Sequence, residues 1–84
     1  MTMKKPRQIP PFAEPYYREA MERFCVTLEE IDGTRKYGEF VDAREYIARK
    51  LEADGYNHSR IGRIMRLDHA TIINLCRYRK RLKI

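Results

Sequence analysis

Residues 55–81 read GYNHSRIGRIMRLDHATIINLCRYRKR, and this stretch decides the fold of the chain. Its first half predicts a short helix, because apolar residues recur there at the i, i+3, i+4 spacing of one helical face. These residues are Ile61, Ile64 and Met65. Asn57 or Ser59 can cap the free N–H groups at the start of this helix. Gly62 has no side chain and would let a second helix approach closely.

The second half of the stretch predicts a tight turn followed by a basic helix. Arg66 and Leu67 would form the turn, with the apolar Leu67 filling the corner between the two helices. Asp68 is suited to cap the second helix. The inward face of that helix would consist of Ile72, Leu75 and Cys76. Two helices arranged in this way form a helix-turn-helix, whose second helix enters the major groove of DNA with its N-terminal end first.

The positive charge of the chain is concentrated in the same stretch. The chain has 18 Lys and Arg against 12 Asp and Glu, a formal net charge of +6. From Arg60 onward there are eight basic residues and one acid, Asp68, which gives +7 and leaves −1 for the preceding 59 residues. A net positive charge that is confined to one segment is typical of a phosphate-binding surface. A solvated basic tail at residues 79–83 would not explain the capped, apolar-periodic helices in front of it.

The composition indicates a single folded domain. With 84 residues, of which 43% are hydrophobic and 36% charged, the chain can form a small core without metal or disulfide support. No apolar run approaches the ~20 residues of a membrane span, and no signal-peptide pattern opens the chain. Cys25 and Cys76 both fall on apolar helix faces, which predicts reduced core residues in a cytoplasmic protein.

The residues before the stretch predict two more helices and a short helical turn. Pro15 suits the first turn of the first helix, whose buried face would continue through Tyr17, Ala20, Met21, Phe24 and Leu28. Thr27 and Glu30 match a capping box for a single helical turn at residues 27–32, which Gly33 would end. Residues 33–40 then predict a loop that carries Arg35 and Lys36.

A D-x-x-E pattern at Asp42 and Glu45 predicts the start of the third helix. The buried stripe of this helix would be Ala43, Ile47 and Leu51, with Tyr46 beside it. No strand-like alternation occurs, so we expect an all-α bundle of four to five helices over residues 12–84. Residues 1–11 predict a mobile arm. Two interpretations of this arm stay open: a basic arm that contacts DNA, and an unstructured leader.

Several of these residues resemble the C-terminal DNA-binding domain of the bacterial replication initiator DnaA. The resemblance rests on IG at 61–62, DHATII at 68–73 and CR at 76–77, with counterparts upstream at residues 26–31, 35–36 and 43–44. It covers residues 17–81 and implies a Trp-repressor-like helical bundle. The chain departs from the family at Met65-Arg66-Leu67, where the family has Gly-Gly-Arg, and at Ala70, which replaces a threonine.

The sequence contains no nucleotide-binding G-x-x-x-x-G-K-[ST] loop. A stand-alone domain of this kind would suit a phage-encoded or accessory DNA-binding protein better than an initiator. Residues 55–72 also fit the general pattern of helix-turn-helix modules in sigma factors, transposases and repressors.

The sequence predicts neither a metal or cofactor site nor a catalytic site. The cysteines and histidines (Cys25, Cys76, His58 and His69) lack any metal-ligand spacing such as C-x-x-C, so we expect neither a metal nor another cofactor. Asp68 and His69 are adjacent at a helix start, where their side chains point in different directions, and no nucleophile accompanies them. We therefore expect neither an enzyme nor a small-molecule substrate.

The predicted function is sequence-preferring binding of double-stranded DNA. The first turn of the last helix would meet base edges, with Asn74 one turn deeper. The predicted base-contacting residues are thus Asp68, His69, Ala70, Thr71 and Asn74. Asp can accept from a cytosine amine, Asn can pair with adenine, and the methyl groups of Ala and Thr can contact a thymine methyl. Helix capping alone is the alternative role for Asp68 and Thr71.

Basic residues would bind the DNA backbone. The resemblance implies that Arg44 holds a phosphate and that Arg35 or Lys36 enters the adjacent minor groove. Further backbone contacts, which fix register without reading sequence, would come from Arg60, Arg63, Arg66 and Arg77.

Two other functions stay open. One is a protein-interaction module that sequesters a replication initiator or its partners. The other is a dimeric transcriptional repressor. A dimer needs an exposed apolar face, for which the first helix offers the one candidate: Tyr16, Phe24 and Val26.

Overall fold

A computed structural model of the protein describes residues 9–79 and residue 82. Over these residues the chain forms helices and no strands, which confirms the predicted all-α fold. Five α-helices are followed by a π-helical segment that continues the fifth: α1 (Glu14–Phe24), α2 (Leu28–Asp32), α3 (Gly38–Ala53), α4 (His58–Met65), α5 (His69–Ile73) and the π segment (Asn74–Arg79). None of the described helices combines the length and the apolar character that crossing a membrane requires.

α1 begins where the sequence predicted, with Pro15 in its first turn. Most of the predicted arm, residues 1–8, lies outside the described residues, whereas Ile9 packs against the core. The prediction that Cys25 is a core residue is wrong, because its side chain is exposed. Cys25 follows the last residue of α1 in the left-handed conformation, with φ 53°. This conformation turns the chain so that the next residue, Val26, is buried instead.

The predicted capping box starts α2. Thr27 Oγ1 accepts a hydrogen bond from the Glu30 N–H at 3.2 Å, and Glu30 Oε1 accepts one from the Thr27 N–H at 2.8 Å. Gly33 follows the last residue of the helix. The helical turn predicted at residues 27–32 is therefore confirmed. A helix of this length makes few internal hydrogen bonds and depends on tertiary contacts for its stability.

α3 is the central helix and contacts α1, α2, α4 and the π segment. The predicted buried residues are confirmed: Ala43, Tyr46, Ile47 and Leu51. The predicted start at Asp42 is wrong, because α3 begins four residues earlier, at Gly38. Asp42 and Glu45 lie inside the helix and do not cap it; both carboxylates bind Arg79 of the π segment.

Glu45 fastens the C-terminal segment to α3. Its side chain is fully buried. Arg79 Nη1 donates to Glu45 Oε1 at 2.9 Å, and Oε2 accepts from Arg49 Nη1 at 3.1 Å and from the Leu82 N–H at 2.9 Å. A buried carboxylate needs such partners to offset its lost hydration. Arg79 therefore stabilises the fold and is not part of a solvated tail.

Candidate nucleic-acid interface

α4 and α5 are joined by the short turn that the sequence predicted. Asn57 caps α4 in preference to Ser59, because its Oδ1 accepts a hydrogen bond from the Arg60 N–H at 2.8 Å. The predicted inward residues of α4 follow the expected pattern. Ile61 and Met65 are buried, and Ile64 is half-buried.

Gly62 lets this turn close against α4. A Cβ atom at position 62 would lie 2.7 Å from the carbonyl oxygen of Leu67, closer than real Cβ atoms approach backbone. Arg66 ends α4 in the left-handed conformation with φ 57°, and the Leu67 N–H donates to the Gly62 carbonyl at 2.9 Å. The close approach predicted at Gly62 is confirmed, although the neighbour is the turn and not the body of a second helix.

The last helix turns its predicted apolar face inward: Ile72, Leu75 and Cys76 are all buried. Burial raises the pKa of the Cys76 thiol to about 11, so this cysteine is protonated near neutral pH, as expected of a core residue. Asp68 occupies the position that precedes α5, but its side chain accepts no capping hydrogen bond, so the predicted cap is wrong. The change to π-helical winding at Asn74 was not predicted.

All five predicted base-contacting residues are exposed: Asp68, His69, Ala70, Thr71 and Asn74. The side chain of His69 is held in place by a hydrogen bond between its Nδ1 and Ser59 Oγ at 3.0 Å. The Nε2 atom of His69 has no hydrogen-bond partner within the part of the chain that the structure describes, and it is the ring nitrogen left for an external group. Sequence reasoning missed this role of Ser59, because the two residues belong to different helices.

Exposed arginines adjoin this surface. Arg60, Arg63, Arg66 and Arg77 are exposed, and within the described residues none of them pairs with a carboxylate. Arg60 and Arg63 line an open groove of about 500 Å³ together with Ser59. The other lining residues are Pro10, Phe12, Asn57 and Ile64, and Ser59, through its hydrogen bond to His69, connects the groove to the first turn of α5. The guanidinium of Arg60 also lies 5.4 Å from the centroid of the Tyr56 ring, a favourable cation–π distance.

Arg35 and Lys36 are exposed in the connection between α2 and α3. Tyr37, next to them, is 55% exposed, and its ring meets the Phe40 ring edge-on at 5.3 Å between centroids. An exposed aromatic ring beside two cations can stack on an unpaired base of single-stranded nucleic acid. Sequence reasoning did not single out Tyr37, because the predicted loop continued through residue 40 instead of ending at the start of α3.

The structure contradicts the phosphate contact expected of Arg44. This side chain is 5% exposed, and its guanidinium binds carbonyl groups at the end of α2. Nε donates to Ile31 at 2.8 Å, and Nη2 donates to Glu30 and to Gly33 at 2.9 Å each. Burial lowers the pKa of Arg44, and the charge of Asp32 partly offsets this effect. Arg44 therefore satisfies helix-end carbonyls that lack intrahelical partners, and it is removed from the candidate DNA-binding residues.

The apolar face that a dimeric repressor would need is mostly covered. Val26 is buried, and Tyr16 and Phe24 are half-buried. Tyr16 donates a hydrogen bond from its hydroxyl to Asp54. Phe24 meets the Tyr46 ring edge-to-face, with 6.2 Å between centroids. These residues serve the packing of α1 on α3.

Comparison with known proteins assigns no family to this chain: no protein-family model matches it, and no curated protein or solved structure matches it either.

Proposed function

We propose that this protein binds double-stranded DNA with a preference for sequence, using the exposed face of α5. One observation carries the proposal: Arg60 and Arg63, which have no carboxylate partners among the described residues, line a groove together with Ser59, and Ser59 binds His69 in the exposed first turn of α5. Arginines left unpaired at a surface repel one another and attract an anion. A helix end beside such a cluster suits the major groove, where phosphates flank the base edges.

The exposed residues of α5 and the first residue of the π segment that continues it would read the bases. Asn74 can form two hydrogen bonds with adenine, and His69 can donate from Nε2 to a base acceptor while Ser59 holds its Nδ1. Thr71 and Ala70 offer methyl groups to thymine. The interior side of the same helix is occupied by the core, so the reading residues can be replaced without disturbing the packing.

Backbone contacts would come from the arginines beside this face: Arg60, Arg63, Arg66 and Arg77. Arg35 or Lys36 would reach an adjacent minor groove. Together these residues would neutralise about five phosphates. The resemblance to the DNA-binding domain of DnaA agrees with this arrangement, and a stand-alone, cytoplasmic domain of that kind would act as an accessory or phage-encoded regulator of replication or transcription.

The test compares a reading residue with an anchoring residue. A preferred duplex is first selected from a random pool, and affinities for it and for a scrambled duplex are then measured at several salt concentrations. Asn74→Ala should weaken the preferred duplex by about 1–3 kcal/mol and spare the scrambled one. Arg63→Ala should weaken both duplexes alike and flatten the salt slope by about one unit. Both variants should melt like the wild type, because both side chains are exposed.

The wild-type slope of log K against log salt should be about −4 to −5, as expected for about five phosphate contacts. A slope near zero would refute DNA binding. If Asn74→Ala and Arg63→Ala caused the same loss on both duplexes, the last helix, α5 with the π segment that continues it, would not be the reading element.

A further inference from the structure

We propose that Glu52, His58 and Cys76 form a Zn²⁺-binding site, which shares no ligand with the DNA-binding surface, although the His58 ring meets the His69 ring edge-to-face with 6.1 Å between centroids. Each residue offers one ligand atom, and the three atoms lie within 4.8 Å of one another. The residues come from three different elements: the last turn of α3, the first residue of α4 and the π segment. A metal ion would therefore join the central helix to both halves of the helix-turn-helix.

The donor set suits zinc. Thiolate sulfur, imidazole nitrogen and carboxylate oxygen are the usual zinc ligands, with bonds of about 2.0–2.3 Å that place ligand atoms about 3.3–3.6 Å apart in a tetrahedron. His58 Nε2 and Glu52 Oε2 are 2.6 Å apart, so they would separate by less than about 1 Å. A Cys76 thiolate and a Glu52 carboxylate would together neutralise the charge of the ion.

The surroundings allow an ion to enter. Cys76 is 1% exposed, but the side chains of His58 and Glu52 are 17% and 35% exposed, so the site opens to solvent on their side. Three protein ligands leave a fourth position for water or an external ligand. Cys76 also lies in a π-helical segment, and such segments are frequently found at functional sites.

Binding replaces hydrogen bonds with metal–ligand bonds. The Cys76 thiol loses its proton to solvent as the sulfur–zinc bond forms. The hydrogen bond between His58 and Glu52 is broken, and His58 binds through the Nε2 lone pair with its proton on Nδ1. Glu52 binds through one carboxylate oxygen. No oxidant or other reactant is needed.

The experiment uses the untagged full chain without DNA, kept reduced by a phosphine. Co²⁺ serves first as a spectroscopic probe, and Zn²⁺ then displaces it. We expect one Co²⁺ per chain with a thiolate-to-metal charge-transfer band, which disappears when Zn²⁺ is added. Because the chain has two cysteines, the exposed Cys25 offers a matched control for Cys76. Cys76→Ser and His58→Ala should weaken Zn²⁺ binding by about 100-fold or more, whereas Cys25→Ser should change it by less than about twofold.

The wild-type spectrum tests the site even if Cys76→Ser fails to fold. Absence of the charge-transfer band in the folded wild type at a large excess of Co²⁺ would overturn the proposal. So would unchanged Zn²⁺ affinity in His58→Ala, or a band lost in Cys25→Ser and kept in Cys76→Ser. Because DNA is absent from this experiment, none of these outcomes bears on the DNA-binding test.

Discussion

Replacing Arg44 with alanine should lower the free energy of unfolding by about 3–5 kcal/mol. The guanidinium donates hydrogen bonds to the carbonyls of Glu30, Ile31 and Gly33, and each bond from a charged donor contributes about 1.5–3 kcal/mol. The full sum is not expected, because the bonds to Glu30 and Gly33 are only partly buried and their carbonyls would regain water. The total free energy of unfolding of a domain of this size is about 4–13 kcal/mol, so the Arg44→Ala variant should be close to unfolding.

Two further variants separate the hydrogen bonds of Arg44 from its charge. Arg44→Lys keeps the charge, but a single ammonium group does not match the fork of an arginine. Its free energy of unfolding should be about 1–2 kcal/mol below that of the wild type, because part of the hydrogen bonding is lost while the charge still faces the carbonyl dipoles. Arg63→Ala is the matched control, because Arg63 is exposed, and its free energy of unfolding should stay within about 0.5 kcal/mol of the wild type.

Urea denaturation followed by circular dichroism measures these differences, and the salt dependence of DNA binding is measured on Arg44→Lys under conditions where it is folded. The salt slope of Arg44→Lys should equal that of the wild type, because Arg44 is not a phosphate contact. If Arg44→Ala unfolded at the wild-type urea concentration, or if Arg44→Lys flattened the slope by about one unit, the structural role of Arg44 would be refuted.

Three other changes test the packing and the ionisation of the core. Gly62→Ala should lower the free energy of unfolding by about 1–3 kcal/mol, because its methyl group would lie 2.7 Å from the carbonyl oxygen of a turn residue. Gly38→Ala, with nothing within 4 Å of the added methyl, should be neutral or slightly stabilising. Equal urea midpoints for the two variants would mean that the turn does not close on α4. Ile72→Ala should cost about 2–4 kcal/mol, because it removes a fully buried branched side chain, and an unchanged melting curve would mean that the last helix is rotated. The hydrogen bond from Tyr46 to a carboxylate of α1 raises the pKa of its phenol above 10.0, so this contribution to stability is complete below about pH 10 and is lost as the pH rises through the folded-state pKa. The urea midpoint of Tyr46→Phe should therefore fall less steeply above about pH 10 than that of the wild type. The midpoint of Tyr78→Phe, at a residue that is 79% exposed, should follow the wild type. Parallel curves of midpoint against pH for all three proteins would contradict the raised pKa of Tyr46.

The sequence by itself determined the features that depend on neighbours a few positions apart. The capping box of Thr27 and Glu30 forms within one turn of the chain. The cap of α4 is equally local, although the sequence offered both Asn57 and Ser59 for it and the structure uses Asn57. The inward face of the last helix follows from apolar spacing alone, and the exposure of residues such as Asn74 follows with it. The all-α class and the position of the turn after α4 were predicted for the same reason.

Only the tertiary structure decided which charged side chains are used inside the fold. Asp42 and Glu45 match a capping pattern, yet both bind Arg79, more than 30 residues further along the chain. Arg44 was expected at the surface, but its guanidinium meets the carbonyls of α2, 11 to 14 residues earlier.

The cluster of Glu52, His58 and Cys76 shows the same dependence on tertiary structure. Its ligand atoms lie close together only because α3, α4 and the π segment meet at one point. A local sequence pattern indicates the contacts that a side chain can make within its own helical turn. A long polar side chain instead takes the partner that the packed helices bring within reach, because burial makes an unsatisfied polar group costly.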